Sequence, residues 1–303
     1  MTRGSRALHT HARTSWRARS LAACVALALP VLAVPAGAQQ GDSAHTATQP
    51  GPVVRQTAAR DTTSRKGVRT WKVAAGIGAA AVAIVPFDVD ITRRLRSPDL
   101  QQSTAWRNGA IVFDWYGAPG ARAVGPLLAV AGSISRNPTV SDIGIHVSES
   151  YAAAAVAVFV VKGIAGRARP YTVSSEQAYD FDLGRGFPHR EPFSSFPSGH
   201  ATGSFAFAAS LTVEAARHWP EHAKLVGALA YGGAFLDGVS RVYRDMHWPS
   251  DVAAGALLGT VSGILVTRRQ HAHPDNRIDA LARRVLFAPA ADGRLVVGVA
   301  QTF

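Results

Sequence analysis

Apolar residues along the chain gather into six runs, Val73 to Val85, Ala123 to Ile134, Tyr151 to Ala165, Gly199 to Val213, Leu225 to Leu236 and Val252 to Val266, separated by polar or Gly/Pro-bearing stretches. The runs exceed the usual strand length and lack two-residue alternation, so they predict helices. The expected fold is all-α, a compact bundle of about six core helices spread over residues 67–270. None of the runs exceeds roughly 17 residues, short of the 20 or so that a membrane-spanning helix needs. Their content of Ala and Gly suits close helix approach in a soluble or a membrane bundle alike. Lengthened by their flanks, the Tyr151 run is the best candidate to span and the Val73 run the second.

Both ends differ from the middle. Arg3, Arg6, Arg13, Arg17 and Arg19 come without an acid, an apolar stretch follows from Leu21 to Val34, and Ala36-Gly37-Ala38 offers a small-x-small cleavage site. Residues 1–38 are therefore expected to be an export signal. Residues 39–66, rich in Gln, Thr, Ser, Ala and Gly, read as a disordered linker. In the tail, 271–303, Val285-Leu286-Phe287, a turn around Asp292-Gly293 and Leu295 to Phe303 predict a short β-hairpin.

Composition narrows the classes. Hydrophobic residues make up 47% and charged residues 17%, with a mean hydropathy of +0.06, between a soluble enzyme and a polytopic membrane protein. The formal charge of +12 falls to +7 if the five arginines of the signal leave. An exported basic chain points away from nucleic acid and toward anionic lipid or phosphorylated substrates. Cys24 is the only cysteine and would leave with the signal, so neither a disulfide nor a thiol nucleophile is expected.

Three clusters carry candidate chemistry. Lys162 and Arg169 close the Tyr151 run; seven residues apart, they would share one helix face about 10.5 Å apart along the axis, and Pro170 would turn Arg169 inward. Two cations there would equally suit a helix C-terminus or a membrane interface. Phe196-Pro197-Ser198-Gly199-His200 precedes the next helix: Ser198 is a good cap, Gly199 permits close backbone approach, and first-turn N–H groups can hold an anion. A plain capped helix start explains it as well. In Ser240-Arg241 through His247-Trp248-Pro249-Ser250-Asp251, Pro249 fits a first helical turn, so Asp251 could accept a hydrogen bond from one nitrogen of His247 and leave the other free. Arg241 adds a planar phosphate ligand.

In these residues the chain resembles the superfamily of type-2 phosphatidic acid phosphatases, bacterial class A acid phosphatases and vanadium haloperoxidases, whose signature is Lys-x6-Arg-Pro, Pro-Ser-Gly-His and Ser-Arg-x5-His-x3-Asp. The resemblance covers Lys162 to Asp251. It implies that Lys162, Arg169 and Arg241, with Ser198 and the Gly199 amide, bind the phosphoryl oxygens. It also implies that His247 attacks phosphorus, Asp251 orients it, and His200 protonates the leaving oxygen and then activates water. Fixed cations and helix-end amides can stabilise the transferring phosphoryl group without a metal, so no metal and no other cofactor is expected. The function expected is hydrolysis of a phosphate monoester or diphosphate, in a lipid phosphate, undecaprenyl diphosphate or a small soluble ester, with the protein exported and membrane-associated, its site facing the periplasm, and a soluble periplasmic enzyme as the alternative. A haloperoxidase holding vanadate in the same pocket and a non-catalytic envelope scaffold are the alternatives. The oligomeric state has no signature in the sequence.

Overall fold

The computed structural model describes residues 70–174, 177–187, 191–274, 276 and 279, together with two strands at 285–289 and 295–299. The expected signal and linker, and the expected turn around Asp292, lie outside the described residues.

Each of the six apolar runs is the centre of a helix: α1 (Thr70–Ile84), α5 (Ala121–Ile134), α6 (Pro138–Ala165), α7 (Gly199–His218), α8 (Ala223–Tyr243) and α9 (Pro249–Ala272). Three helices had no counterpart among the runs: α2 (Asp88–Leu95), α3 (Pro98–Gln102) and α4 (Thr104–Trp115). Their sequences, DVDITRRL and TAWRNGAIVFDW among them, mix charges into the apolar positions. Local capping starts several of the helices. Asn137 accepts from the Val140 amide to open α6, Ser198 accepts from Ala201 to open α7, and Pro249 occupies the first turn of α9.

Helix α7 is the central element, packed most extensively on α9 and also on α8 and α6. Its buried face is made of small residues, including Ala201, Ser204, Ala206, Ala208 and Ala209. Helix α9 meets it with Gly255, Gly259 and Gly263. A Cβ at Gly255 would stand 2.6 Å from the Ser198 carbonyl oxygen, one at Gly263 2.5 Å from that of Ala206, and one at Gly259 would strike the Thr202 carbonyl. The stripe of glycines every four residues thus brings the two backbones together. The larger apolar cluster, with Leu128, Ile143, Val147, Phe207 and Leu211, lies between α5, α6, α7 and α8.

Among the described residues, three segments are long and apolar enough to cross a membrane: Thr70–Leu95, Pro138–Thr172 and Pro249–Ala272. As expected for the Tyr151 and Val73 runs, flanking residues lengthen the helices, α6 alone having 28 residues; the Val252 run, not singled out as a span, is lengthened in the same way. Of the Thr70–Leu95 window only 6% is buried, and α1 contains no buried residue. An apolar helix with so little protein around it needs a non-aqueous neighbour. Val156, Phe159, Val160 and Ile164 of α6, Leu225, Leu229 and Phe235 of α8, and Leu265 of α9 are also exposed. These apolar surfaces support membrane association of the chain. In the tail, β1 (Val285–Pro289) pairs antiparallel with β2 (Leu295–Val299), Val285 opposite Val299 and Pro289 opposite Leu295.

Candidate active site

The sequence-predicted residues come from the C-terminal end of α6, the start of α7, the end of α8 and the start of α9, and the fold gathers these ends. The route to the first cluster differs from the expectation. Helix α6 stops at Ala165, and Gly166 caps it in the left-handed conformation at φ 55°, where a side chain would be strained. Lys162 and Arg169 therefore do not share a helix face. Lys162 belongs to the last turn, whereas Arg169 lies on an extended segment at φ −77°, ψ 151°, as the following proline favours. They still converge on one residue: Lys162 Nζ donates to the Ser194 carbonyl, and Arg169 Nη2 donates to Ser194 Oγ at 3.3 Å. Arg169 is buried, and its Nε has no hydrogen-bond partner.

Ser198 is fully buried. Its Oγ accepts from the Ala201 amide at 3.4 Å and its own amide donates to the Asp251 carbonyl at 2.9 Å, which ties the start of α7 to the start of α9. A Cβ at Gly199 would meet Lys162 Cε at an ordinary 3.5 Å, so space alone does not require glycine there. His200 follows, with Nε2 3.6 Å from Asp114 Oδ1. Burial pushes its pKa down to about 3, assisted by Arg241 and opposed by Asp114.

Arg241 is buried at the end of α8, donates to Asp114 and leaves its Nε without a partner. Arg244 donates to the other oxygen of Asp114 at 2.7 Å. His247, in the turn before α9, is 2% exposed in its side chain, and its Nδ1 stands 3.7 Å from Asp251 Oδ2. That is an ion-pair distance and longer than a hydrogen bond, and Nδ1 has no hydrogen-bond partner. The expected imidazole–carboxylate hydrogen bond is thus open, because Asp251 is engaged elsewhere. Its Oδ2 accepts from Ser195 Oγ at 2.5 Å and from the Trp248 amide at 2.9 Å, and its Oδ1 from Arg167 at 2.5 Å. Burial drives the His247 pKa well below its ordinary value; nearby Lys162 and Arg169 add to this and Asp251 opposes it. A neutral imidazole is the form that can act as a nucleophile.

The structure adds residues that the sequence did not single out. Arg167, 1% exposed, donates to Asp88 at 2.8 Å, to Asp251 and to Ser250 Oγ at 2.8 Å, as well as to the Ala178 carbonyl. Asp88, from the start of α2, in turn accepts from the Ser250 amide at 2.7 Å. The guanidinium lies against the Trp248 and Phe181 rings, 5.5 and 4.9 Å from their centroids. This buried network fixes the first turn of α9 and hence Asp251. Asp114, from α4, is the counter-ion of Arg241. No spacing marks either acid, since α2 and α4 fall outside the six runs; Arg167 was visible only as a variable position within Lys-x6-Arg-Pro. The loop between the first two clusters holds itself through Arg185, which donates to Asp180 at 3.0 Å and to the Gly166 carbonyl at 2.8 Å.

The arrangement is a cationic cluster in which Lys162 and Arg169 stand near the buried imidazole of His247, and Lys162, Arg169 and Arg241 near the partly exposed imidazole of His200. It suits a tetrahedral oxyanion held by guanidinium groups, with one histidine for attack and one for proton transfer. Among the described residues, a cluster with metal-ligand spacing occurs elsewhere, at His146, Glu214 and His271.

Comparison with known proteins agrees with the motifs. Residues 144–275 match the family model described as the PAP2 superfamily, a span that holds all three clusters. A lipid A 1-phosphatase of Porphyromonas gingivalis is 33% identical over 85 residues, 28% of this chain and 18% of that protein. A putative undecaprenyl-diphosphatase of Escherichia coli is 35% identical over 80 residues, 26% of this chain and 37% of that protein. The similarity thus spans well under half the length of these curated relatives. The crystal structure of a transmembrane PAP2-type phosphatidylglycerolphosphate phosphatase from Bacillus subtilis aligns with a TM-score of 0.49 at 24% identity, covering 69% of this chain and 96% of that one.

Proposed function

We propose, for a chain whose residues 144–275 place it in the PAP2 superfamily, that it is a membrane-associated phosphatase that hydrolyses a phosphate monoester or diphosphate through a phosphorylated His247. The observation that carries the reading is the meeting of Lys162, Arg169 and Arg241 around His247 and His200, with the Nε atoms of both arginines buried and unpartnered. Such donors call for an anion.

In the mechanism, the phosphoryl oxygens take the two guanidinium groups, Lys162 Nζ and the first-turn amides of α7. Nδ1 of His247 faces Asp251, so Nε2 attacks phosphorus. The N–P bond forms as the bond to the leaving oxygen breaks, and His200 gives that oxygen its proton. His200 then takes a proton from water, whose oxygen attacks phosphorus and breaks the N–P bond, releasing inorganic phosphate. The low pKa of His200 belongs to the pocket without substrate; a bound phosphoryl dianion offsets the charge of Arg241 and raises it, which suits an acid in the first step. Asp251 acts through its fixed position and charge, stabilising the imidazolium side of the reaction at 3.7 Å. Charge neutralisation by three fixed cations supports turnover without a catalytic metal.

A lipid phosphate is the favoured substrate class. An apolar cavity of about 270 Å³ between α4 and α8, lined by residues such as Trp106, Phe113, Leu236 and Tyr243, borders Ser240 beside Arg241. It gives an acyl or prenyl chain a place next to the cationic pocket. With the expected N-terminal signal, the pocket would face the periplasm.

The test is phosphate release by protein purified in detergent with EDTA present, from phosphatidic acid, undecaprenyl diphosphate and p-nitrophenyl phosphate. Turnover of the lipids, inhibited by vanadate, is expected. Turnover of the soluble ester alone would replace the lipid assignment, and activity seen only with vanadate, peroxide and bromide would overturn the phosphatase reading. Cysteine-labelling of the loop around Tyr179 from outside intact cells tests the orientation.

A further inference from the structure

A second polar cluster is buried at the end of the bundle remote from the pocket. From Lys162 back to His146 along α6 is about 24 Å, from His200 to Glu214 along α7 about 21 Å, and from Asp251 to His271 along α9 about 30 Å. Glu214 is fully buried and is surrounded by imidazoles. Its Oε1 meets His146 Nδ1 at 2.7 Å and His271 Nε2 at 3.0 Å, and its Oε2 lies 3.4 Å from His218 Nε2. No Lys or Arg among the described residues forms an ion pair with it. Oε2 is shielded from solvent and has no hydrogen-bond partner. A buried carboxylate needs a compensating charge, and histidines supply one only when protonated.

We propose that His146, Glu214 and His271 form a binding site for one divalent transition-metal ion of the zinc type, which staples α6, α7 and α9 at the end of the bundle opposite the catalytic pocket. One nitrogen or oxygen from each residue lies within 4.8 Å of the others. Bonds of about 2.0–2.2 Å in a tetrahedron set ligand atoms about 3.4 Å apart, so small side-chain rotations suffice. Two imidazoles and a carboxylate suit zinc among the common divalent ions and disfavour calcium or magnesium, which take all-oxygen sets. The outer shell fits too. With Nδ1 of His146 on the metal, its Nε2 points to Asp279 Oδ2 at 3.5 Å, the carboxylate–histidine arrangement that orients metal ligands. His218 is placed to complete the tetrahedron or to hold the second oxygen of Glu214. The site touches no phosphate ligand, so its role is to hold the bundle together.

The test uses the full chain in detergent, purified without a polyhistidine tag. Metal content is measured after exposure to zinc and dialysis, X-ray absorption reports the ligands, and unfolding is followed with zinc and after its removal by EDTA. About one zinc per chain is expected, with a first shell of imidazole nitrogen and oxygen. Its removal should lower the unfolding midpoint, while short assays of phosphatase turnover change less than about twofold. His271→Ala, at a partly exposed ligand, should lose the zinc and the EDTA effect together. A chain that holds no zinc after exposure overturns the proposal. So does zinc that persists in His271→Ala and Glu214→Gln, or that shows a water-dominated shell, since either identifies an adventitious ion only. If Glu214→Gln fails to fold, the absorption spectrum of the unaltered protein still decides. Protonated histidines alone would give a pH-dependent midpoint indifferent to zinc.

Discussion

Removing the Arg167 side chain is the sharpest test of how the active site is held. In the native structure its guanidinium is 1% exposed and faces two fully buried carboxylates, Asp88 at 2.8 Å and Asp251 at 2.5 Å, with Ser250 Oγ and the Ala178 carbonyl as further acceptors. Arg167→Ala leaves both carboxylates without their cation, and breaking a buried pair in this way costs about 3–5 kcal/mol. For a domain of this size each kcal/mol moves the unfolding midpoint by about 2–4 °C, so a fall of about 6–20 °C is expected. Phosphatase turnover should fall as well, because Asp251 loses one of its fixed partners and the first turn of α9 carries His247 with it. Arg167→Lys keeps the charge but cannot reach both acids at once, and should lie between the two proteins. Adding Asp88→Asn to Arg167→Ala removes one uncompensated charge and should recover part of the midpoint, a coupling that a double-mutant cycle measures. Differential scanning fluorimetry in detergent, alongside phosphate release, makes the measurement. An Arg167→Ala protein with an unchanged midpoint would refute the view that this network anchors the site.

Other perturbations follow from the same geometry. His247→Ala should abolish turnover, and acid-quenched unaltered protein should carry an acid-labile, base-stable phosphate that the variant lacks; a fully active variant would move the nucleophile elsewhere. Because the folded pKa of His247 lies below its unfolded value near 6.5, the unfolded chain binds the extra proton as pH falls from 6.5 toward the folded pKa. This contribution to stability is therefore complete above pH 6.5 and is lost below it, and His247→Asn should flatten that part of the midpoint-versus-pH curve. Asp114→Asn removes the carboxylate that competes for Arg241, and inhibition by inorganic phosphate should tighten by up to about tenfold, the equivalent of about 1.4 kcal/mol; an unchanged inhibition constant would rule out that competition. Gly259→Ala drives a methyl into the Thr202 carbonyl between α7 and α9 and should destabilise the bundle by about 1–3 kcal/mol, visible as a lower midpoint at normal turnover per folded molecule.

The six apolar runs, the helix starts at Ser198 and Pro249, the terminal hairpin and the three polar motifs are all local signals, because helical periodicity, capping chemistry and turn residues act over a few positions. Lys162, Arg169, Ser198, Gly199, His200, Arg241, His247 and Asp251 were legible as candidates for that reason. Helix lengths were less so. Polar flanks such as Pro138 to Ser150 become helical because α5 and α9 pack against them, and packing overrides weak local preference.

What the tertiary structure alone decided is which charges compensate which. Asp88 and Asp114 come from helices outside the six apolar runs and meet Arg167 and Arg241 from 79 and 127 positions away along the chain. Glu214 meets His146 across 68 positions and His271 across 57. The energy of a buried charge depends on the distance to its partner and the exclusion of water around both. Neither is a property of sequence spacing. The sequence determined that a cationic, histidine-bearing pocket could form at the helix ends; packing determined that Asp251 is held by Arg167 and Ser195 instead of hydrogen bonding to His247, and that a second buried cluster stands at the far end.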